Sequence, residues 1–148
     1  MYYKNFYSVI FAHAFFLFLL IFIRELIKDL ENIEGDLVAD YKTIPVVFGD
    51  NKAKTIISTL AAVTLIPVYL LVEIYDIGYM DIYFYLSLAA LLFFVLKLWK
   101  STTKADYLKL HFLLKFIIVS GVFCIVLIEP AVLIHGKTVI LTHSLSIY

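Results

Sequence analysis

Four long apolar stretches, separated by polar connections, dominate the pattern of the chain. Each is close to the ~20 residues that an α-helix needs to cross the hydrocarbon core of a bilayer. The predicted spans cover residues 6–23, 55–72, 82–99 and 110–134. The pattern therefore predicts an all-α fold, a polytopic membrane helix bundle with four transmembrane helices that forms a single membrane domain over residues 1–148.

Prolines and glycines mark where these helices should be interrupted. Pro45 and Gly49 predict that segment 35–51 is a loop or a short broken helix, because the residue before a proline is biased away from helix. Pro67 lies inside the second span and predicts a kink that neighbouring helices can accommodate. The last segment, 135–148, has a β-like composition and is too short to cross a bilayer as a helix, so the pattern assigns it no element.

Composition and charge narrow the class of protein. The chain is 64% hydrophobic, with a mean hydropathy of +0.99, which is typical of helical membrane proteins. Its net charge of zero gives no electrostatic reason to expect a nucleic-acid partner. A single cysteine, Cys124, excludes an intrachain disulfide and a cysteine zinc site. His13, in the middle of the first span, is expected to be a packed neutral side chain rather than a ligand.

The distribution of basic residues predicts the orientation of the bundle. Nine of the twelve lie in the first and third connections, and the connection between the second and third spans has none. Cytoplasmic connections carry an excess of Lys and Arg. We therefore expect the first connection, which is also acidic, to lie in the cytoplasm and both termini to lie outside.

The first connection carries the main candidate chemistry. Read as a helix, it places four polar residues within a stripe of roughly 60°: Glu25, Asp29, Asn32 and Asp36. Crowded carboxylates repel one another unless a cation lies among them, and hard oxygen ligands suit Mg²⁺. Lys28 and Lys42 flank the stripe and could meet phosphate charge. The alternative interpretation is a solvated helix end just outside the membrane.

The same stretch carries a motif. Residues 24–49 read R-E-x-x-K-D-x-E-N-x-x-G-D, then five residues, then K-T-x-P-V-x-x-G. This string closely resembles the second Asp-rich motif of UbiA-type membrane prenyltransferases, in the branch that contains digeranylgeranylglyceryl phosphate synthases and related bacterial proteins. The four spans in this order also resemble the last four helices of that fold, which form its second half.

The resemblance implies a reaction, a cofactor and a location. In that family two Asp-rich motifs hold Mg²⁺ against a prenyl diphosphate, and the prenyl group passes to a lipid or aromatic acceptor. We therefore expect an integral protein of a bacterial cytoplasmic membrane, surrounded by membrane lipids, with its acidic motif facing the cytoplasm.

The resemblance also assigns roles to individual residues. Anchoring the motif on Lys42 and Thr43 puts its two aspartates at Asn32 and Asp36, so that an amide replaces one carboxylate. A second register, Asp36 with Asp40, displaces Lys42 from its place. The preferred register predicts metal ligands Asp29, Asn32 and Asp36, catalytic residues Asp36 and Lys42, and substrate-binding residues Arg24, Lys28, Tyr41 and Lys42. Lys115, inside the fourth span, is either a lysine whose amine reaches the interface or a further cation near the diphosphate.

One part of the family pattern is absent from the sequence. The family has another Asp-rich motif in its first half, whereas no acidic residue precedes Arg24 here. The chain is therefore expected to resemble the C-terminal half of such an enzyme and to be incompetent for prenyl transfer alone. It is expected to be either a gene fragment, the product of a truncated gene model, or a half that pairs with a missing N-terminal half on another chain. The alternative function is a non-catalytic four-helix membrane protein with a binding, transport or assembly role.

The charge bias generates a topology prediction. Single cysteines that replace Asp50 and Thr102 should react with an impermeant thiol reagent only from the cytoplasmic side, and one that replaces Gly78 only from outside. The reason is that basic connections stay on the cytoplasmic side. Reaction of the Gly78 variant from the cytoplasm would contradict the predicted orientation.

Overall fold

The structure is a computed structural model that describes the backbone of residues 2–74 and 80–145 and the side chains of residues 7–73 and 81–124. Its helices are α1 (Tyr2–Glu31), α2 (Ile33–Val38), α3 (Ile44–Phe48), α4 (Asp50–Val63), α5 (Leu65–Tyr69), a π-helical segment (Leu70–Ile74), α6 (Met80–Lys100) and α7 (Lys104–Leu145). No strand occurs in these described ranges.

Four helical stretches are long and apolar enough to cross a membrane: Tyr7–Glu31, Asp50–Glu73, Asp81–Lys100 and Lys104–Cys124. The predicted all-α, four-helix membrane fold is therefore confirmed. The turn expected between the second and third spans falls on residues 75–79, which lie outside the described part of the chain.

Helix α1 is the central element of the bundle. It packs against α7, α4, α5 and α3, and α6 in turn packs against α7 and α4. One face of α1 is buried at a helical spacing by apolar side chains: Ala12, Phe16, Leu20, Ile23, Ile27 and Leu30. Because this face continues to within one residue of the end of α1, the last turns of the helix are fixed by the same packing as its membrane-spanning part.

The predicted interruption in the second span is present. Helix α4 ends at Val63, and α5 begins at Leu65. Pro67 lacks the N–H that would bond to the carbonyl of Val63, so the regular ladder cannot continue through this point. Thr64, between the two helices, is fully buried and donates its hydroxyl to the carbonyl of Ala61.

Local sequence also sets where α7 begins and how far it extends. Thr103 and Asp106 form a capping box, with the Thr103 hydroxyl 2.8 Å from the Asp106 carboxylate and the Asp106 N–H donating to the same hydroxyl at 3.3 Å. From Lys104 the backbone stays helical to Leu145, so the β-like composition of segment 135–148 does not produce a strand through Leu145.

A small polar cluster joins α1, α6 and α7 inside the bundle. His13 is buried, with Nε2 3.3 Å from the carbonyl oxygen of Gly121, and its ring lies edge-on to Phe84. Tyr83 donates its hydroxyl to the carbonyl of Ile117 at 2.9 Å, one turn earlier on α7. His13 is therefore a packed residue, as expected, and the lack of a Cβ at Gly121 allows α7 to approach Tyr83 and Leu17.

The close approach at Gly121 generates a stability prediction. A Cβ at this position would lie 2.5 Å from the Tyr83 hydroxyl and 2.9 Å from Leu17 Cδ2. We expect Gly121→Ala to lower the free energy of unfolding by about 1–2 kcal/mol, because Tyr83 must move and lose its hydrogen bond. Thermal unfolding in detergent measures this effect.

Two further variants serve as controls for Gly121→Ala. In a Tyr83→Phe background, Gly121→Ala should lower the free energy of unfolding by less than it does with Tyr83 present, because the hydroxyl that the Cβ would meet is gone. Gly35→Ala should not lower the free energy of unfolding, because a Cβ there would meet no atom within 4 Å. An equal loss for Gly121→Ala in both backgrounds would contradict the role of the Tyr83 contact.

Candidate functional site

The acidic stripe lies where α1 passes into α2. The Asn32 N–H donates to the Lys28 carbonyl at 3.0 Å, and the Asp36 N–H donates to the Asn32 carbonyl at 2.9 Å. These are helical i to i−4 bonds, so the path stays nearly helical across the break at Asn32. Asp29 and Asp36 are consequently partly buried and lie two turns apart on one nearly helical path rather than on separate loops.

Charge is unevenly paired along the stripe. Glu25 forms ion pairs with Arg24 at 3.5 Å and with Lys28 at 3.9 Å. The carboxylates of Asp36 and Glu25 are close enough to repel the charge of Asp29, and Lys28 offsets this only in part. Within the described residues, neither Asp29 nor Asp36 has an ion-pair partner within 4 Å. The stripe therefore holds excess negative charge, which a cation would stabilise.

The chain after α2 turns back and holds Asp36 in place. The Tyr41 N–H donates to the Asp36 carbonyl at 2.9 Å, and the Thr43 hydroxyl donates to Asp36 Oδ2 at 3.3 Å. Asp40 lies in this turn with a φ of 56°, a left-handed conformation that Asp tolerates better than most residues. Asp40 thus follows α2 instead of continuing its helical face.

The remaining predicted site residues surround the same end of the bundle. Arg24 is partly buried, and its Nε has no hydrogen-bond partner among the described groups. Lys28, Tyr41 and Lys42 have exposed side chains. Arg24 and Lys28 pair with Glu25, so they contact the edge of the stripe rather than Asp29 or Asp36.

Lys115 is separate from this group of residues. It lies on the exposed side of α7, beside the exposed Phe116, within the candidate span Lys104–Cys124. This exposure is compatible with a side chain that extends along the helix toward the interface.

The ligands that the stripe offers decide which divalent cation site it can form. In the part of the chain whose side chains are described, no three His, Cys, Asp or Glu side chains form a group that could hold a metal ion. Asp29, Asn32 and Asp36 supply two carboxylates and an amide. Magnesium commonly uses only one or two carboxylates and takes its other ligands from water and substrate phosphates. These residues therefore fit Mg²⁺ bound together with a phosphate ligand, but not a cation held by protein alone.

Thr43 is the site residue to which the sequence assigned no role. Its signal was its place beside Lys42 in the K-T pair of the motif. The pattern could not show that its hydroxyl would reach back to Asp36, because that contact depends on the turn between α2 and α3.

An apolar groove lies on the bundle away from the acidic stripe. It has a volume of about 740 Å³ and is lined mainly by α1 and the residues around Pro67: Tyr7, Phe11, Phe15, Ile66, Pro67 and Leu70. From Phe15 to Asp29 the distance along α1 is roughly 21 Å. The acidic and apolar surfaces are thus separated by about two thirds of the thickness of a bilayer's hydrocarbon core.

Comparison with known proteins identifies relatives of the chain. The model of the UbiA prenyltransferase family matches residues 2–119. The digeranylgeranylglyceryl phosphate synthase of Methanosphaera stadtmanae is 39% identical over 74 residues, which cover 49% of this chain and 27% of that protein. The protein of the same name from Pyrococcus abyssi is 38% identical over 60 residues, 40% of this chain and 22% of its own length.

The matches cover only part of each relative. The digeranylgeranylglyceryl phosphate synthase of Methanobrevibacter smithii is 32% identical over 82 residues, 54% of this chain and 28% of that protein. In all three relatives the matched stretch therefore spans less than a third of the protein's length. No solved structure matches the chain.

Proposed function

The chain belongs to the UbiA prenyltransferase family, and from this membership we propose that it takes part in moving a prenyl group from a prenyl diphosphate to a lipid or aromatic acceptor. The observation that supports the proposal is the pair Asp29 and Asp36, two mutually repelling carboxylates without ion-pair partners within the described residues. All three relatives are named digeranylgeranylglyceryl phosphate synthase, which favours a lipid acceptor.

The carboxylates and the amide form the cation-binding part of this proposal. Asp29, Asn32 and Asp36 would hold Mg²⁺, which when bound supplies positive charge to the diphosphate leaving group. Asp36 is kept in orientation by the Thr43 hydroxyl and by the turn that follows α2. Such preorganised charge needs little rearrangement as the leaving group departs.

Cationic side chains form the phosphate-binding part. Lys42 and Lys28 are exposed at the end of α1 and its connection, where a diphosphate beside the stripe would lie within reach. The partly exposed Arg24 side chain supplies further donors for a phosphate oxygen. Tyr41, which is 64% exposed, has its hydroxyl available to hydrogen-bond to a diphosphate beside the acidic stripe.

The reaction itself breaks one bond and forms another. The bond between the allylic carbon and the diphosphate oxygen breaks, and the bond electrons leave with the diphosphate. The acceptor oxygen or aromatic carbon then bonds to the allylic carbon and loses a proton. The apolar helices keep water away from the electron-poor carbon, and apolar surfaces such as the groove beside Phe15 suit the prenyl chain.

The acidic residues give the test of this function. In an assay with geranylgeranyl diphosphate, Mg²⁺ and lipid or aromatic acceptors, Asp36→Ala should reduce prenyl transfer by at least about 100-fold, because charge stabilisation is lost. Asn32→Asp should preserve or raise the rate, since it restores a charged ligand. Glu34→Ala, which removes an exposed acid two residues from Asp36, is the matched control and should be nearly neutral.

The assay should be run with the chain alone and with a co-expressed N-terminal half of a relative. We expect transfer only in the second case, because catalysis needs the charge of the departing diphosphate neutralised from both sides, whereas one acidic stripe with Lys42 is sufficient only to bind it. Unchanged turnover of Asp36→Ala would show that Asp36 and the cation-binding role of the stripe are not needed for catalysis. Turnover by the chain alone would exclude the need for a second acidic face.

A further inference from the structure

A buried lysine joins three parts of the chain at the same end of the bundle as the acidic stripe. Lys54, on the first turns of α4, is only 4% exposed. Its Nζ donates to the carbonyl oxygen of Ser101 at 2.7 Å, and it forms an ion pair with Asp50 Oδ2 at 3.0 Å. Ser101, also buried, lies in the connection between α6 and α7.

Tyr107 completes the cluster from α7. Its hydroxyl oxygen lies 3.0 Å from Asp50 Oδ1 and 3.2 Å from the carbonyl oxygen of Ser101. A phenol has one proton, so it can donate to only one of these acceptors at a time. The Lys54 ammonium also lies 5.7 Å from the centre of the Tyr107 ring, within range of a cation–π contact. Asp50, Lys54, Ser101 and Tyr107 are called the lysine cluster below.

The cost of burying the charge of Lys54 indicates what the cluster does. A buried ammonium must be paired and hydrogen-bonded, and even then its desolvation offsets much of the attraction. Such a pair contributes little net stability, but it permits only the arrangement in which all of its partners meet. The lysine cluster therefore links the start of α4 to the α6–α7 connection and to the first turn of α7.

The segment held by this cluster leads directly to the candidate site. Asp50 follows Gly49, whose φ of 89° is a left-handed conformation that suits glycine. Segment 42–49 thus has an anchor near each end, the Thr43 contact with Asp36 and Asp50, which directly follows Gly49. Lys42, the expected phosphate contact, is on this segment.

We propose that Lys54 is a positioning residue, which through the lysine cluster fixes segment 42–49 so that Lys42 and Thr43 stay beside the acidic stripe. This role rests on the proposed function, because it presumes that the stripe and Lys42 bind a diphosphate. On this proposal α4, α6 and α7 contribute to the site indirectly, by positioning Lys42 and Thr43, without contacting the substrate themselves.

The first arm of the test measures the position of the segment without any ligand. In the full chain in lipid nanodiscs, with Cys124→Ala, spin labels are placed at Val47→Cys on α3 and Ala105→Cys on α7, both exposed positions. The distance between the labels should have a narrow distribution. Lys54→Met should broaden or shift it, whereas Lys104→Met, which removes an exposed lysine from α7, should leave it unchanged.

The second arm measures ligand binding by calorimetry, with inorganic pyrophosphate and Mg²⁺. We expect Lys54→Met to weaken binding by about tenfold, since a loosened segment must be ordered again on binding, and Lys104→Met to bind like the unaltered chain. Tyr107→Phe removes one buried hydroxyl and should show the same two changes to a smaller extent. It carries the test if Lys54→Met does not fold, as judged by circular dichroism.

The two arms separate the ways in which the proposal can fail. No pyrophosphate binding by the unaltered chain would overturn the proposed function, and the positioning role with it. If the unaltered chain binds, an unchanged distance distribution in the folded cluster variants would overturn the positioning role alone. A broadened distribution with unchanged affinity would also overturn it, because the cluster would then serve only the fold.

Discussion

The continuous helix α1 is the constraint on which the rest of the structure depends. Charged groups are costly in the hydrocarbon region, so a membrane helix can carry carboxylates only toward its ends or in a protected cavity. Helix α1 satisfies this rule because its apolar and acidic residues lie on different faces. The apolar face packs into the bundle as far as Leu30, whereas Asp29 lies on a partly exposed face near the end of the helix. The packing that fixes the helix in the membrane therefore also fixes the first carboxylate of the candidate site.

The electrostatics at this end of the bundle follow from which charges are paired. Glu25 takes the two nearest cations, Arg24 and Lys28, and both pairs are exposed enough to contribute little to stability. Asp29 and Asp36 keep their repulsion, and Thr43 fixes the position of Asp36 instead of neutralising it. A site that keeps unpaired charge at some cost to stability is typical of a binding site.

Sequence reasoning predicted the features that depend on neighbours along the chain. Hydropathy predicted the four helices, Pro67 predicted the break at Thr64, and helical spacing predicted the acidic stripe. The motif predicted the family, which the match to residues 2–119 confirms. Sequence reasoning could not predict contacts between residues that are far apart in the chain. Lys54 and Asp50 are one turn apart, but their partner Ser101 lies 47 residues after Lys54, and no pattern indicated that pairing.

The central claim is that Asp29 and Asp36 bind a divalent cation together with a diphosphate, and electron paramagnetic resonance of Mn²⁺ tests it most directly. The purified chain in nanodiscs would be titrated with Mn²⁺ in the presence and absence of inorganic pyrophosphate. We expect pyrophosphate-dependent loss of the free Mn²⁺ signal in the unaltered chain and none in the double variant Asp29→Asn, Asp36→Asn. Equal binding of Mn²⁺ and pyrophosphate by the unaltered chain and the double variant would contradict the claim.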